Sequence, residues 1–199
     1  MNELAAFVTL GFRHIVDLEA LDHILFLLAL AAIYRVRDWR DALWVVSAFT
    51  VGHSVTLALA VTGALVLSNG LVEFLIPLTI VATCIENLVV RERPRLWGGG
   101  YRPVLAAVFG LVHGAGFASY LRSLFVDQIA LPLFGFNVGI ELGQVVVLAL
   151  AAVALAALDR VLALPATRGG ASVLRLRVVT VSAAVALIAA RWAVERNPF

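Results

Sequence analysis

Apolar stretches of bilayer length recur along this chain with only short, arginine-bearing connectors between them, and that pattern leaves few folds open. The apolar segments cover about residues 21–34, 42–67, 71–90, 103–121, 131–158 and 178–194. Crossing a bilayer takes about 20 residues of helix, and within the hydrocarbon every backbone N–H and C=O has to be satisfied inside that helix. With 199 residues, 62% hydrophobic and 14% charged, no polar segment is left for a soluble domain. The expectation is an all-α, polytopic membrane helix bundle, a single domain over 1–199 with about six transmembrane helices. Because the first apolar segment is short, residues 4–20 are expected to form either an interfacial half-helix or a kinked extension of the first span.

The connectors 35–41, 91–102 and 159–177 hold eleven Arg, whereas the opposite side holds only Arg13, Arg122, Arg191 and Arg196. The positive-inside rule then predicts those connectors in the cytoplasm and both termini outside, which for a bacterial inner membrane is the periplasm. The N-terminus has no basic n-region and carries Glu3, so no cleaved signal peptide is expected. The arginines are accounted for by topology, so the basic balance points to a lipid bilayer and not to nucleic acid. Cys84 is the only cysteine, which excludes an intrachain disulfide and suits a small buried apolar residue. Trp39, Trp44, Trp97 and Trp192 fit interfacial anchors.

Against this apolar background, eleven polar groups fall in or beside the spans: His14, Asp17, Asp22, His23, His53, Glu73, Glu86, His113, Asn137, Glu141 and Gln144. A charged group at mid-bilayer costs about 2.5–3.5 kcal/mol on insertion scales, so the set is expected to face the bundle interior. Depth along the spans puts His53 and His113 near the midplane, Asp22, His23 and Glu73 toward the periplasm, and Glu86 near the cytoplasmic end. The expectation is a polar cavity open to the periplasm, with "HIVDLEALDH" at its mouth, His53 and His113 as its floor, and Glu86 on the exit side. Helical phase supports an inward stripe in "FNVGIELGQ": Asn137, Glu141 and Gln144 fall within an arc of roughly 60°, with Gly135, Gly139 and Gly143 about opposite as a groove for a neighbouring helix. Ser47, Thr50, His53 and Ser54 share a face in the same way, and Gly110 and Gly114 beside His113 allow another backbone close. His14 and His23 are nine residues apart, about 180° on a continuous helix, so they share a site only if the helix breaks around "DLEA".

Neutral imidazoles and carboxylates suit a divalent transition metal such as Ni, Co or Zn, and an acid beside a histidine can fix its tautomer. The competing reading is that each histidine hydrogen-bonds across helices to Ser, Thr or Asn and only stabilises packing. Glu73 can snorkel to the interface, and Glu86 can pair with Arg91 or Arg93. A third reading is an intramembrane enzyme in which a histidine and an acid activate Ser54 or Ser119 toward a lipid or lipid-anchored substrate. The chain lacks HExxH and GxSxG, which weighs against it.

The stretches "GFRHIVDLEALDHILFLLAL", "FTVGHSVTLAL", "LVEFLIPLTI", "FGLVHGAGFASYL" and "FNVGIELGQ", taken in order, resemble the second branch of the HupE/UreJ family of hydrogenase and urease accessory membrane proteins. The resemblance covers nearly the whole chain. It implies an inner-membrane permease supplying nickel, and perhaps cobalt, to metalloenzymes, with metalloenzyme maturation proteins as partners. It also implies a metal path through His14, Asp17, Asp22, His23, His53 and His113.

Overall fold

A computed structural model describes residues 2–89, 100–124, 129–169 and 172–199, and among these there are seven α-helices and no strand. Helix α1 (Glu3–Val16) starts where the Asn2 side chain accepts from the Leu4 N–H, a conventional N-cap. It ends at Asp17, whose backbone is extended (φ −68°, ψ 133°). One 3₁₀ turn, Leu18–Ala20, follows before α2 (Leu21–Ala31). The break falls within the "DLEA" that the two histidines require. The remaining helices are α3 (Trp39–Val61), α4 (Asn69–Val89), α5 (Tyr101–Leu124), α6 (Ala130–Gly169) and α7 (Val173–Glu195).

Two helix pairs make the closest approaches, and glycine causes both. On α6, Gly135 faces Leu4 and Phe7, Gly139 faces Val8, and Gly143 faces Phe12 and Ile15, so α1 lies parallel to α6 in the small-residue groove. A Cβ at Gly139 would stand 2.1 Å from the Val8 carbonyl oxygen, and one at Gly11 would stand 2.0 Å from that of Phe136. The α3 and α5 pair repeats the arrangement: a Cβ at Gly52 would stand 1.9 Å from the Ala107 carbonyl oxygen, and one at Gly110 or Gly114 would stand 2.1 or 2.3 Å from that of Phe49 or His53. Only residues without a Cβ let two backbones come this close. Helix α4 runs antiparallel to α5, through Thr79 with His113 and Glu86 with Arg102. It also runs antiparallel to α7, through Asn87 with Ser182 and Gly70 with Pro198.

Arg177 of α7 shows what α1 and α2 amount to. Its guanidinium donates to the Ala32 and Tyr34 carbonyls and to Asp159 of α6. Residues 4 to 34 therefore accompany α6 from Gly135 to Asp159, a length of roughly 36 Å of helix. Helices α1 and α2 together run the length of this part of the bundle beside α6.

Four helical stretches, Val36–Val61, Asn69–Val89, Ala130–Ala163 and Val173–Glu195, are long and apolar enough to cross a membrane. The outer surface fits a lipid solvent, since Val51, Leu142, Leu150, Val153, Leu187 and Val194 are all exposed. The interior holds His23, His53, His113, Thr50, Thr79, Asn87 and Gln144. Arg91, Arg93 and Trp97 lie outside the described residues.

Candidate metal centre

Four imidazoles from four separate helices meet inside the bundle: His14 on α1, His23 on α2, His53 on α3 and His113 on α5. Ring centroids are 4.6 Å apart for His14 and His23, 5.2 Å for His23 and His113, 6.1 Å for His14 and His53, and 6.2 Å for His23 and His53. His14, His23 and His53 each offer one ring nitrogen such that all three lie within 4.8 Å of one another. The local causes are the features already described. The break after Val16 turns His23 toward His14, and the glycine contacts press α1 onto α6 and α3 onto α5.

The hydrogen bonding leaves lone pairs pointing into this space. Asp22 Oδ1 lies 3.1 Å from His23 Nδ1 and also accepts the His23 backbone N–H at 2.9 Å, so Nδ1 carries the proton and Nε2 is left as an acceptor. His23 Nε2 is buried and has no partner. At His113 the logic runs through Thr79. The single hydroxyl proton of Thr79 is donated to the Ile76 carbonyl at 2.7 Å, so its oxygen accepts from His113 Nε2 at 2.9 Å, and the Nδ1 lone pair is free. His113 Nδ1, His14 Nε2 and both ring nitrogens of His53 are likewise buried without partners. His53 is 0% exposed. A buried polar atom left unpaired costs about 1–3 kcal/mol, so five in one cluster are hard to explain as packing alone. Among the described residues, the inter-helix bonds to Ser, Thr or Asn that a packing role calls for are present only at His113.

Aromatic rings wall the cluster. Phe117 lies 4.0 Å from His14, Phe49 and Phe26 lie 5.2 and 5.1 Å from His113, and Phe136 lies 6.5 Å from His53. A cavity of about 540 Å³ leads in from one end of the bundle, lined among others by His14, Asp17, Asp22, His23, Glu73 and His113. Arg13 and Arg196 also stand on its wall. His14 and His23 therefore share a layer with His53 and His113 instead of forming a mouth above them. The mouth belongs to the exposed Asp17 and Glu73. A divalent metal ion takes imidazole nitrogens at about 2.0–2.1 Å, which puts tetrahedral ligand atoms about 3.4 Å apart. From within 4.8 Å of one another the three nitrogens need to close by up to about 1.4 Å, within reach of side-chain rotation.

The single cavity expected for all eleven polar residues is divided. Glu86, Asn137, Glu141 and Gln144 do not line the histidine cavity, and His53, fully buried, packs behind its wall beside His14 and His23. Glu86 pairs with Arg102, through Nε at 2.9 Å and through Nη2, and the same guanidinium reaches Asn87. Asn87 in turn donates to the Ala29 carbonyl at 2.7 Å, so this network ties α2, α4 and α5 together. Glu141 accepts from the Ser47 hydroxyl, and Gln144 from Thr50 at 2.7 Å. Thr79 and Arg102 escaped the sequence reading because their partners are 34 and 16 residues away and no helical spacing connects them. The Ser54 hydroxyl donates to Thr50 O at 2.7 Å, so it is engaged with its own helix and not with an imidazole. The side chain of Ser119 lies outside the described residues.

Residues 1–196 match the family described as HupE / UreJ protein. No curated protein and no solved structure matches the chain.

Proposed function

Because the chain belongs to the HupE / UreJ family, which is associated with nickel and cobalt accessory membrane proteins, we propose that it is an inner-membrane permease for a divalent transition metal. Nickel is the expected cargo, with cobalt or zinc as the other ions this donor set accepts. In this reading α1 and α2 form one discontinuous span, the bundle crosses the membrane six times, and both termini are periplasmic. The eleven-to-four distribution of Arg supports that orientation.

The cation enters past Asp17 and Glu73, whose carboxylates favour a positive charge at the mouth. It is then held by His14, His23 and His53, with His113 beside them as a further nitrogen donor. Asp22 is a positioning residue that keeps His23 in the tautomer whose Nε2 binds. A discontinuous helix around a central site is a recurrent transporter device, because the broken backbone lets side chains converge where a straight helix would point them apart. No ATP-binding motif is present in the sequence, so the drive is assigned to the membrane potential, a proton gradient or a partner. Metalloenzyme maturation proteins are the proposed recipients.

One observation carries the reading: ring nitrogens of His14, His23 and His53 converge within 4.8 Å while remaining buried without hydrogen-bond partners. The experiment is nickel accumulation in cells expressing the full chain, with His23→Ala and His53→Ala at matched expression. Accumulation that disappears in both variants supports the proposal, and equal accumulation in all three proteins sinks it.

A further inference from the structure

On the side of the cluster away from its mouth, the facing surfaces of α3 and α6 carry a second polar set that the imidazoles do not use. Ser47 and Thr50 precede His53 at helical spacing, and Asn137, Glu141 and Gln144 lie opposite on one face of α6. Ser47 donates to the Glu141 carboxylate. Asn137 Oδ1, one helical turn from Glu141 on the same face, is buried with no donor. This set begins next to the cluster, because Phe136, the neighbour of Asn137, packs against His14 and His53 with centroids at 5.7 and 6.5 Å.

Beyond it, the next turns of the same two helices open into a second cavity of about 610 Å³, walled by Ala42, Leu43, Val145 and Leu148 and reaching Asp159 and Arg177. Arg196 stands at the first cavity and Arg177 at the second, with most of α7 between them, so the two cavities sit toward opposite ends of the bundle. The other candidate route runs past Glu86, where the Arg102 guanidinium engages both carboxylate oxygens and presents a positive charge to any arriving cation.

We infer that the Glu141 carboxylate, with the Asn137 carbonyl oxygen and the Ser47 hydroxyl, forms a second, oxygen-lined station for a divalent cation between the histidine cluster and the second cavity. The inference rests on the transport reading above. Its chemical logic is a gradient of donor softness. Imidazole nitrogen holds nickel, cobalt or zinc more firmly than a carboxylate and neutral oxygens do. Conduction needs a site from which the ion can leave, and an oxygen site beside the nitrogen site offers the departing cation replacement ligands that lower the barrier to its release. Asn137 Oδ1 then has a reason to be buried without a donor.

The test uses the full chain with nickel(II) as probe. Binding is measured by equilibrium dialysis in nanodiscs, and flux in proteoliposomes containing a nickel-responsive dye. Glu141→Gln keeps the volume and an acceptor for Ser47 but removes the charge, and Glu141→Asp restores the charge at shorter reach. Glu141→Gln should bind nickel at the histidine cluster as the wild type does while its flux falls by about 10- to 100-fold, and Glu141→Asp should recover part of that loss. Wild-type flux in Glu141→Gln overturns the inference. So does loss of nickel binding together with flux, which makes Glu141 a structural support of the cluster. Should Glu141→Gln fail to assemble, Asn137→Ala decides by the same two readouts. A wild type that neither binds nor conducts nickel defeats the transport reading itself and takes this inference with it.

Discussion

Substituting Gly11 by Ala probes whether the close approach of α1 to α6 is what builds the histidine cluster. The new methyl would lie 2.0 Å from the carbonyl oxygen of Phe136 and 2.9 Å from its carbonyl carbon. A tolerable carbon-to-oxygen contact is about 3.3 Å, so α1 has to move off α6 by about 1.3 Å. Backbone stands on the other side of the contact, so no side-chain rotation relieves it. Overpacking of this kind destabilises by about 1–3 kcal/mol. His14 lies three residues further along α1 and moves with it, which changes its placement against the His23 ring now 4.6 Å distant. A shift of this size is comparable to the closure of up to about 1.4 Å that rotation of the three imidazoles already has to supply around a metal ion. Nickel affinity should therefore fall by about 10- to 100-fold. The assay is equilibrium dialysis with radioactive nickel, alongside thermal unfolding in the same detergent. Gly100→Ala is the control, because nothing lies within 4 Å of the added methyl, and it should change neither quantity. A Gly11→Ala protein with wild-type affinity and unfolding temperature would refute the argument that glycine contacts set the ring separations.

Asp22→Asn leaves the fold in place but weakens the hold on the His23 tautomer, so nickel affinity measured by dialysis should drop by about 10- to 100-fold with little change in unfolding temperature. Thr79→Val strips His113 Nε2–H of its acceptor, and the unsatisfied buried donor should destabilise by about 1–3 kcal/mol, read by denaturant titration. Arg102→Met leaves the Glu86 carboxylate buried without its cation and should destabilise by about 3–5 kcal/mol, whereas nickel affinity of the protein that folds stays unchanged.

The fold was legible wherever hydrophobic length or helical phase carried it. The groove of Gly135, Gly139 and Gly143 follows from a 100° step, and α1 lies in it. The break between His14 and His23 was visible only as a condition, since nothing in "DLEA" is a glycine or proline that enforces it. Its existence comes from tertiary packing: α1 follows α6, and Asn87 and Arg177 fix the far end of α2. The histidines could be picked out because imidazole is expensive in an apolar span. Their depth was misjudged for His14 and His23 because a broken helix no longer adds 1.5 Å per residue along one axis. Glu86 looked like an exit-side ligand because its partner, Arg102, sits at the start of another helix in a stretch whose arginines read as topological. Periodicity within one helix shows which face is contacted but not which residue of another helix it meets.

Whether the converging imidazoles bind a metal ion is read from X-ray absorption at the nickel edge of the nickel-loaded protein. Three or four imidazole nitrogens are expected at about 2.0–2.1 Å, with the outer-shell scattering of imidazole rings lost stepwise in His14→Ala, His23→Ala and His53→Ala. A first shell of water and carboxylate oxygens alone, unchanged by those three substitutions, would contradict it.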